Sequence, residues 1–304
     1  MATLNMDEKP SQRTDTTTRG RMRAAGRMLG SLLLGGVAVL GSIILFRKGL
    51  LPLVEAVFHP GPEWLSVLRR IGILLTAVGG YWAFVHWHEK RPATELRLRP
   101  LPLLLGGAGG AAMIALPMAL LFAAGVYQCV LVRGAAPGLL GVAALIGIAA
   151  TLEELTFRCL LFRIVERTWG TPRALAVQAV LFALQHLENV AAGGVRDAVT
   201  MLVAVTLAGL MWGAVYTLSR NLWVASAHHA AWNFTILLSG VPLSGIEDWR
   251  VLAPLESRYA GPDWLTGGMF GPESSWLVIA STTIAVGWLL RVARRRGAFV
   301  APEA

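Results

Sequence analysis

Apolar residues along this chain run in long unbroken stretches rather than alternating with polar ones. Eight such stretches lie at about 28–46, 71–87, 101–127, 137–162, 172–190, 198–218, 221–239 and 274–290. Each approaches the roughly 20 residues needed to cross the hydrocarbon layer as a helix. Continuous runs are the wrong pattern for a membrane barrel, whose strands alternate. The pattern predicts an all-α polytopic membrane protein of about eight transmembrane helices, with a transmembrane domain over 28–290. The polar, Thr- and Arg-rich segment 1–27 reads as a disordered tail, and 291–304 as a basic tail. The segment 240–273, rich in Gly, Pro, Trp and acidic residues, either lies on the membrane surface or covers an opening.

Composition agrees. Of 304 residues, 55% are apolar and only 15% charged, where soluble proteins carry about 25%. A soluble enzyme and a disordered chain are thereby excluded. Cys129 and Cys159 form neither a disulfide framework nor a metal-binding pair. The net charge of +9 reflects topology rather than nucleic acid. With the N-terminus inside, 18 of the 27 Lys and Arg fall on the cytoplasmic side, 8 fall outside and Arg158 lies within a span. This asymmetry predicts cytoplasmic N- and C-termini. The run 28–46 is too long for a signal peptide and lacks a cleavage site, so it reads as a retained first span. The Ala-, Gly- and Arg-rich composition fits a bacterial inner membrane, and the expected surroundings are the lipid bilayer, with no nucleic-acid partner.

Ionisable groups in spans are costly, at about 2.5–3.5 kcal/mol each on insertion scales, and call for a role. The fourth span holds Glu153, Glu154 and Arg158. Glu154 and Arg158 are four apart and share a face, whereas Glu153 is turned by about 100°. The fifth brings Phe182 and His186, and the seventh brings His228, His229 and Asn233. His229 and Asn233 share one face. Three poorly hydrophobic helices must therefore turn polar groups toward one another or a water-filled cavity. A desolvated carboxylate suits a general base, and an imidazole helps position water. A second imidazole and an amide suit stabilisation of an oxyanion. Taken singly, Glu154–Arg158 reads as a structural ion pair and Asn233 as a helix-bridging amide. His228 reads as a packing residue that would replace His229 under a shifted register. Gly106–Gly110 and Gly209–Gly213 are spacings for close helix packing.

The strings EExxxR at 153–158, FxxxH at 182–186 and HxxxN at 229–233, in that order on successive spans, resemble the CAAX-protease and bacteriocin-processing (CPBP, Rce1-like or Abi) family. EELTFRCLLF is similar to the family's EELlFRGxLF, with Cys159 where Gly is usual. The resemblance covers about 137–238. It implies an intramembrane endopeptidase in which Glu153 and His186 activate water and His229 and Asn233 form an oxyanion hole. Glu154, Arg158 and Phe182 are then supporting residues. The implied partner is a membrane-associated protein or peptide substrate, cut near its membrane segment. No cofactor is expected, with zinc as the alternative; its ligands would be Glu153, His186 and His229 in a three-ligand site. A different class uses the same buried groups without proteolysis, as a scaffold, an immunity factor or an ion- or proton-coupled carrier.

Overall fold

In a computed structural model, residues 18–190 and 193–302 are described. Helix α1 (Thr18–Leu45) begins ten residues before the expected span, so 18–27 is helical rather than tail. Its first turns, rich in Arg, Ala and Met, are good helix formers that extend the apolar segment outward. The rest of the expected tail, 1–17, lies outside the described residues. A wide π-turn at Phe46–Leu50 leads into α2 (Leu51–Phe58). Helix α3 (Pro62–Ala83) then returns against α1, where Ser42 donates to the Thr76 carbonyl (2.8 Å).

Helix α4 (Pro100–Ala123) lies along α8 (Leu222–Leu238). Gly106 and Gly110 permit this approach: a Cβ at Gly106 would come within 2.8 Å of the Val224 carbonyl, and one at Gly110 would fall on the His228 backbone. Helix α5 (Leu139–Glu154) runs through a second π-helical stretch, Leu155–Phe162, into α6 (Arg163–Leu184). Gly170, at φ 76°, breaks that long run into two helices. Helix α7 (Val195–Ser219) packs on α6 where Gly209 and Gly213 face Ala179, Leu175 and Gln178. Past the one-turn helix α9 (Asp263–Thr266), helix α10 (Trp276–Arg295) packs on α7.

Six helical stretches among the described residues are long and apolar enough to cross a membrane, rather than eight. The expected fourth and fifth spans lie within one of these stretches, Leu139–Leu184, and are parted at Gly170, while α8 has only 17 residues. The outer faces are apolar, and the mostly apolar interior also holds the ionisable groups, which lipid would not tolerate. Leu33 (71% exposed), Leu104 and Ile284 point outward, while Glu154, Arg158 and His229 are buried.

Two features depart from an all-helical bundle with free tails. Strands β1 (Tyr127–Val132) and β2 (Leu255–Tyr259) pair antiparallel, with a bulge between Cys129 and Leu131. The expected third span therefore ends at Ala123 instead of 127. The C-terminal segment is a strap rather than a loose basic tail. Thr171 N–H donates to the Val300 carbonyl (3.0 Å), Val300 N–H donates to the Thr171 hydroxyl (2.8 Å), and Arg220 donates to the Ala298 carbonyl (2.7 Å). Residues 303–304 lie outside the described residues. The start of α1 sits at this same end of the bundle, with the Ser31 hydroxyl 3.3 Å from His88 Nε2.

A polar network closes that end. Arg163 donates to both Glu89 oxygens (2.8 and 2.7 Å) and to the Cys159 carbonyl (2.9 Å), which the π-turn presents sideways. Glu95 accepts from Arg91 (2.9 and 2.6 Å) and from the Tyr81 hydroxyl. Burial alone would favour the protonated carboxyl, but these donors outweigh it and hold Glu95 down at about 2.

The α4–α8 contact yields a test. Gly110→Ala must push α4 away from the His228 backbone, at about 1–3 kcal/mol. It is expected to lower the thermal midpoint of detergent-solubilised protein. Gly107→Ala, whose Cβ would meet Ala227 only at 3.8 Å, is expected to leave that midpoint near the parent value.

Candidate active site

Successive residues at the end of α5 take opposite environments. Glu154 is fully buried, whereas the Glu153 side chain is 30% exposed and borders a cavity. Glu154 Oε1 accepts from His229 Nδ1 (3.1 Å) and forms an ion pair with Arg158 Nη1, also at 3.1 Å but without hydrogen-bond geometry. Arg158 also donates to the Gly209 carbonyl (3.2 Å), and its guanidinium lies over the Phe182 ring, 4.6 Å from the centroid. A buried carboxylate and guanidinium thus compensate each other, with a cation–π contact from a third helix.

Phe182 is the hub between motifs. Its ring stands edge-on to Phe157 and Trp212 and leans on His186, 4.8 Å between centroids. Its carbonyl accepts from His186 Nδ1 at 2.8 Å. That carbonyl is free because α6 tightens at its end, where His186 N–H bonds the Ala183 carbonyl instead. With Nδ1 donating, His186 Nε2 carries the lone pair.

His229 comes from α8. Its Nδ1 donates to Glu154, and its Nε2 lies 3.8 Å from Glu153 Oε2. The imidazole stacks on the Trp212 indole, 3.6 Å between centroids, and the indole N–H is itself held by His228 Nδ1 (3.2 Å). His228 is thereby a packing residue turned toward α7 and Gly109 of α4, and only His229 reaches the cavity. Asn233, one turn on, lines the same cavity, and its Oδ1 is buried without a hydrogen-bond partner.

Glu153, His186, His229 and Asn233 therefore border one cavity of about 310 Å³. A larger cavity of about 500 Å³ beside Trp264 and Trp276 contains none of them. The segment after α8 covers the opening, as one of the two sequence readings expected. Leu243, Ser244, Ile246, Trp249 and Glu273 line the cavity from that side. Ser244 adopts a left-handed φ of 50° and is pinned by Asn189, whose amide donates to the Ser244 carbonyl (2.8 Å). Among the described residues, no three His, Cys, Asp or Glu side chains converge as metal ligands. Glu153, His186 and His229 share the cavity without forming a three-ligand zinc geometry.

Sequence reasoning passed over Trp212, Asn189 and Glu273. Trp212 stands between Gly209 and Gly213, so the packing motif marked its neighbourhood without marking its role. Asn189 and Glu273 had no local signal, since their meaning depends on the covering loop.

A carboxylate, two imidazoles and an amide around one cavity, inside a bundle of apolar-faced helices, make a site suited to hydrolysis. Residues 134–235 match the family model described as type II CAAX prenyl endopeptidase Rce1-like, a model of the CPBP family. All three motifs fall within the match. The family is one of CAAX-type proteases, and with the six apolar helical stretches the chain is a multi-pass integral membrane protein. No curated protein matches the chain.

The pair at the base of the site carries a prediction. Glu154→Gln or Arg158→Met each leaves one buried charge uncompensated and is expected to destabilise the protein by about 3–5 kcal/mol. The double variant is expected to lose much less than the sum of the two, as read by thermal unfolding in detergent.

Proposed function

We propose that the protein is an intramembrane endopeptidase that hydrolyses a peptide bond near a membrane-associated segment of its substrate. The observation that carries this reading is the shared cavity, which Glu153, His186, His229 and Asn233 all line. Glu153, aided by the free Nε2 of His186, takes a proton from water as it attacks the scissile carbonyl. The oxyanion then receives donors from His229 Nε2–H and the Asn233 amide. For His229 to donate there while its Nδ1 donates to Glu154, the ring carries a proton on each nitrogen. Glu153 returns its proton to the departing amine. Glu154, Arg158 and Phe182 hold this geometry without touching the substrate.

The reading is metal-independent, supported by the lack of convergence of Glu153, His186 and His229 as ligands among the described residues. Both described ends of the chain lie at one end of the bundle, and the excess of Lys and Arg there supports a cytoplasmic location for it. The composition supports a bacterial inner membrane.

Comparison of protein N-termini in native membranes, with wild type and Glu153→Gln expressed equally, tests the reaction. New N-termini are expected with wild type only. Matched profiles from two folded proteins would instead favour a scaffold or carrier. On a substrate found this way, Asn233→Ala is expected to lower the rate about 10²-fold. Chelator treatment is expected to leave the rate unchanged, and loss restored by added zinc would overturn metal independence.

A further inference from the structure

The cavity of about 500 Å³ beside Trp264 and Trp276 takes no part in the chemistry above, yet it has the size of a small-ligand site. It lies between the first turns of α7, the start of α9, the turn Pro272–Ser274 and the start of α10. The far ends of α7 and α10 lead to the termini, where Arg220 donates to the Ala298 carbonyl. The cavity is therefore at the opposite end of the bundle.

The faces around it fix its depth in the bilayer. Val195, Val199 and Val203 recur every four residues on α7 and are all exposed, an apolar stripe that suits lipid. Arg196 and Thr200, each one residue further on, line the cavity. Trp264 and Trp276 line it too; both are exposed and stand edge-on to each other at 6.5 Å. Tryptophans at the end of a spanning helix mark the headgroup level. The cavity opens where the hydrocarbon layer ends.

Three polar side chains that line it have no partner. Ser274 is only 3% exposed, yet among the described residues its hydroxyl makes no hydrogen bond. Leaving a buried hydroxyl unpaired is costly, and a ligand that bonds it recovers that cost. The side chains of Arg196 and Asp263 are exposed, and among the described residues neither forms a hydrogen bond or an ion pair. Their neighbours are committed: Asp197 caps the Gly194 N–H, and the Thr200 hydroxyl donates to the Arg196 carbonyl (2.9 Å each). A cation and an anion on separate elements of one cavity, not paired with each other, complement a ligand that carries both charges. A phosphodiester suits the guanidinium and the Ser274 hydroxyl. An ammonium suits the Asp263 carboxylate beside the Trp264 ring. A primary ammonium has N–H donors for Asp263 that a trimethylated one lacks.

We propose that this cavity binds a phospholipid headgroup, a phosphodiester bearing a primary ammonium, from the leaflet at the end opposite the termini. The phosphate sits on Arg196 and Ser274, the ammonium on Asp263, and the acyl chains run along Val199 and Val203.

Native mass spectrometry of full-length protein in detergent, titrated with dioleoyl lipids, tests the site. Wild type is expected to bind phosphatidylethanolamine with a Kd at least about 10-fold below those of phosphatidylcholine and phosphatidylglycerol. Asp263→Asn is expected to bring the ethanolamine and choline lipids to about equal affinity, and Arg196→Gln to weaken both by about 10-fold. Ser274→Ala removes a hydroxyl that has no partner in the lipid-free protein. Its thermal midpoint without lipid is expected to be no lower than that of wild type, while its affinity for phosphatidylethanolamine falls by roughly 3- to 10-fold. Wild-type affinities that do not separate, or that favour phosphatidylglycerol, overturn the proposal. So does a preference that survives Asp263→Asn. Displacement of the lipid by equimolar glycerophosphoethanolamine also overturns it, since the site would then belong to a soluble phosphodiester. Should a charge variant fail to fold, the wild-type ranking of the three lipids and the Ser274→Ala affinity still decide.

Discussion

A carboxylate and a guanidinium buried together in a helix bundle must satisfy each other or the fold fails, and Glu154–Arg158 is that pair here. The rest of the site is arranged around its remaining valences. Glu154 has a second donor in His229, which brings α8 to a fixed distance from α5. Arg158 reaches Gly209 on α7 and spreads over Phe182 on α6. One ion pair therefore ties four helices together, and each of the three motifs contributes a group to it. The residues proposed to act on substrate are neighbours of this clamp: Glu153 beside Glu154, His186 one turn from Phe182, and His229 directly upon it.

Backbone features make that convergence possible. The wide turn after Glu154 re-aims the helix and frees the Cys159 carbonyl for Tyr81 and Arg163 (3.2 and 2.9 Å), joining the site to the polar network at the termini end. Gly110 and Gly209 let α4 and α7 approach closely enough to hold His228 and Trp212, which in turn fix the plane of the His229 ring. On the far side, the loop through Ser244 closes the cavity, pinned between Asn189 and Glu273.

Much of this was legible in the chain because helix geometry converts spacing into direction. Four-residue spacing places Glu154 with Arg158, Phe182 with His186 and His229 with Asn233, and the 100° offset separates Glu153 from Glu154 and His228 from His229. Each division is realised in the structure. Spacing carried no information about contacts across long loops. Glu273 is 120 residues from Glu153 in number, and its place in the cavity follows from a turn held by Ser244. The strap at Val300 and the β1–β2 ribbon were likewise invisible, since backbone pairing between distant segments leaves little trace in hydropathy.

The amino-acid sequence by itself determined the membrane class, the approximate helices, the polar groups that needed partners and the faces on which they lie. These follow from local rules: bilayer thickness sets the length of an apolar run, and helical rotation sets which residues share a side. Tertiary structure decided which polar groups meet, because a buried charge accepts whichever partner the packing delivers. It brought His229 onto the Glu154 clamp, stacked Trp212 on the His229 ring and made a distant loop the wall that faces the proposed substrate.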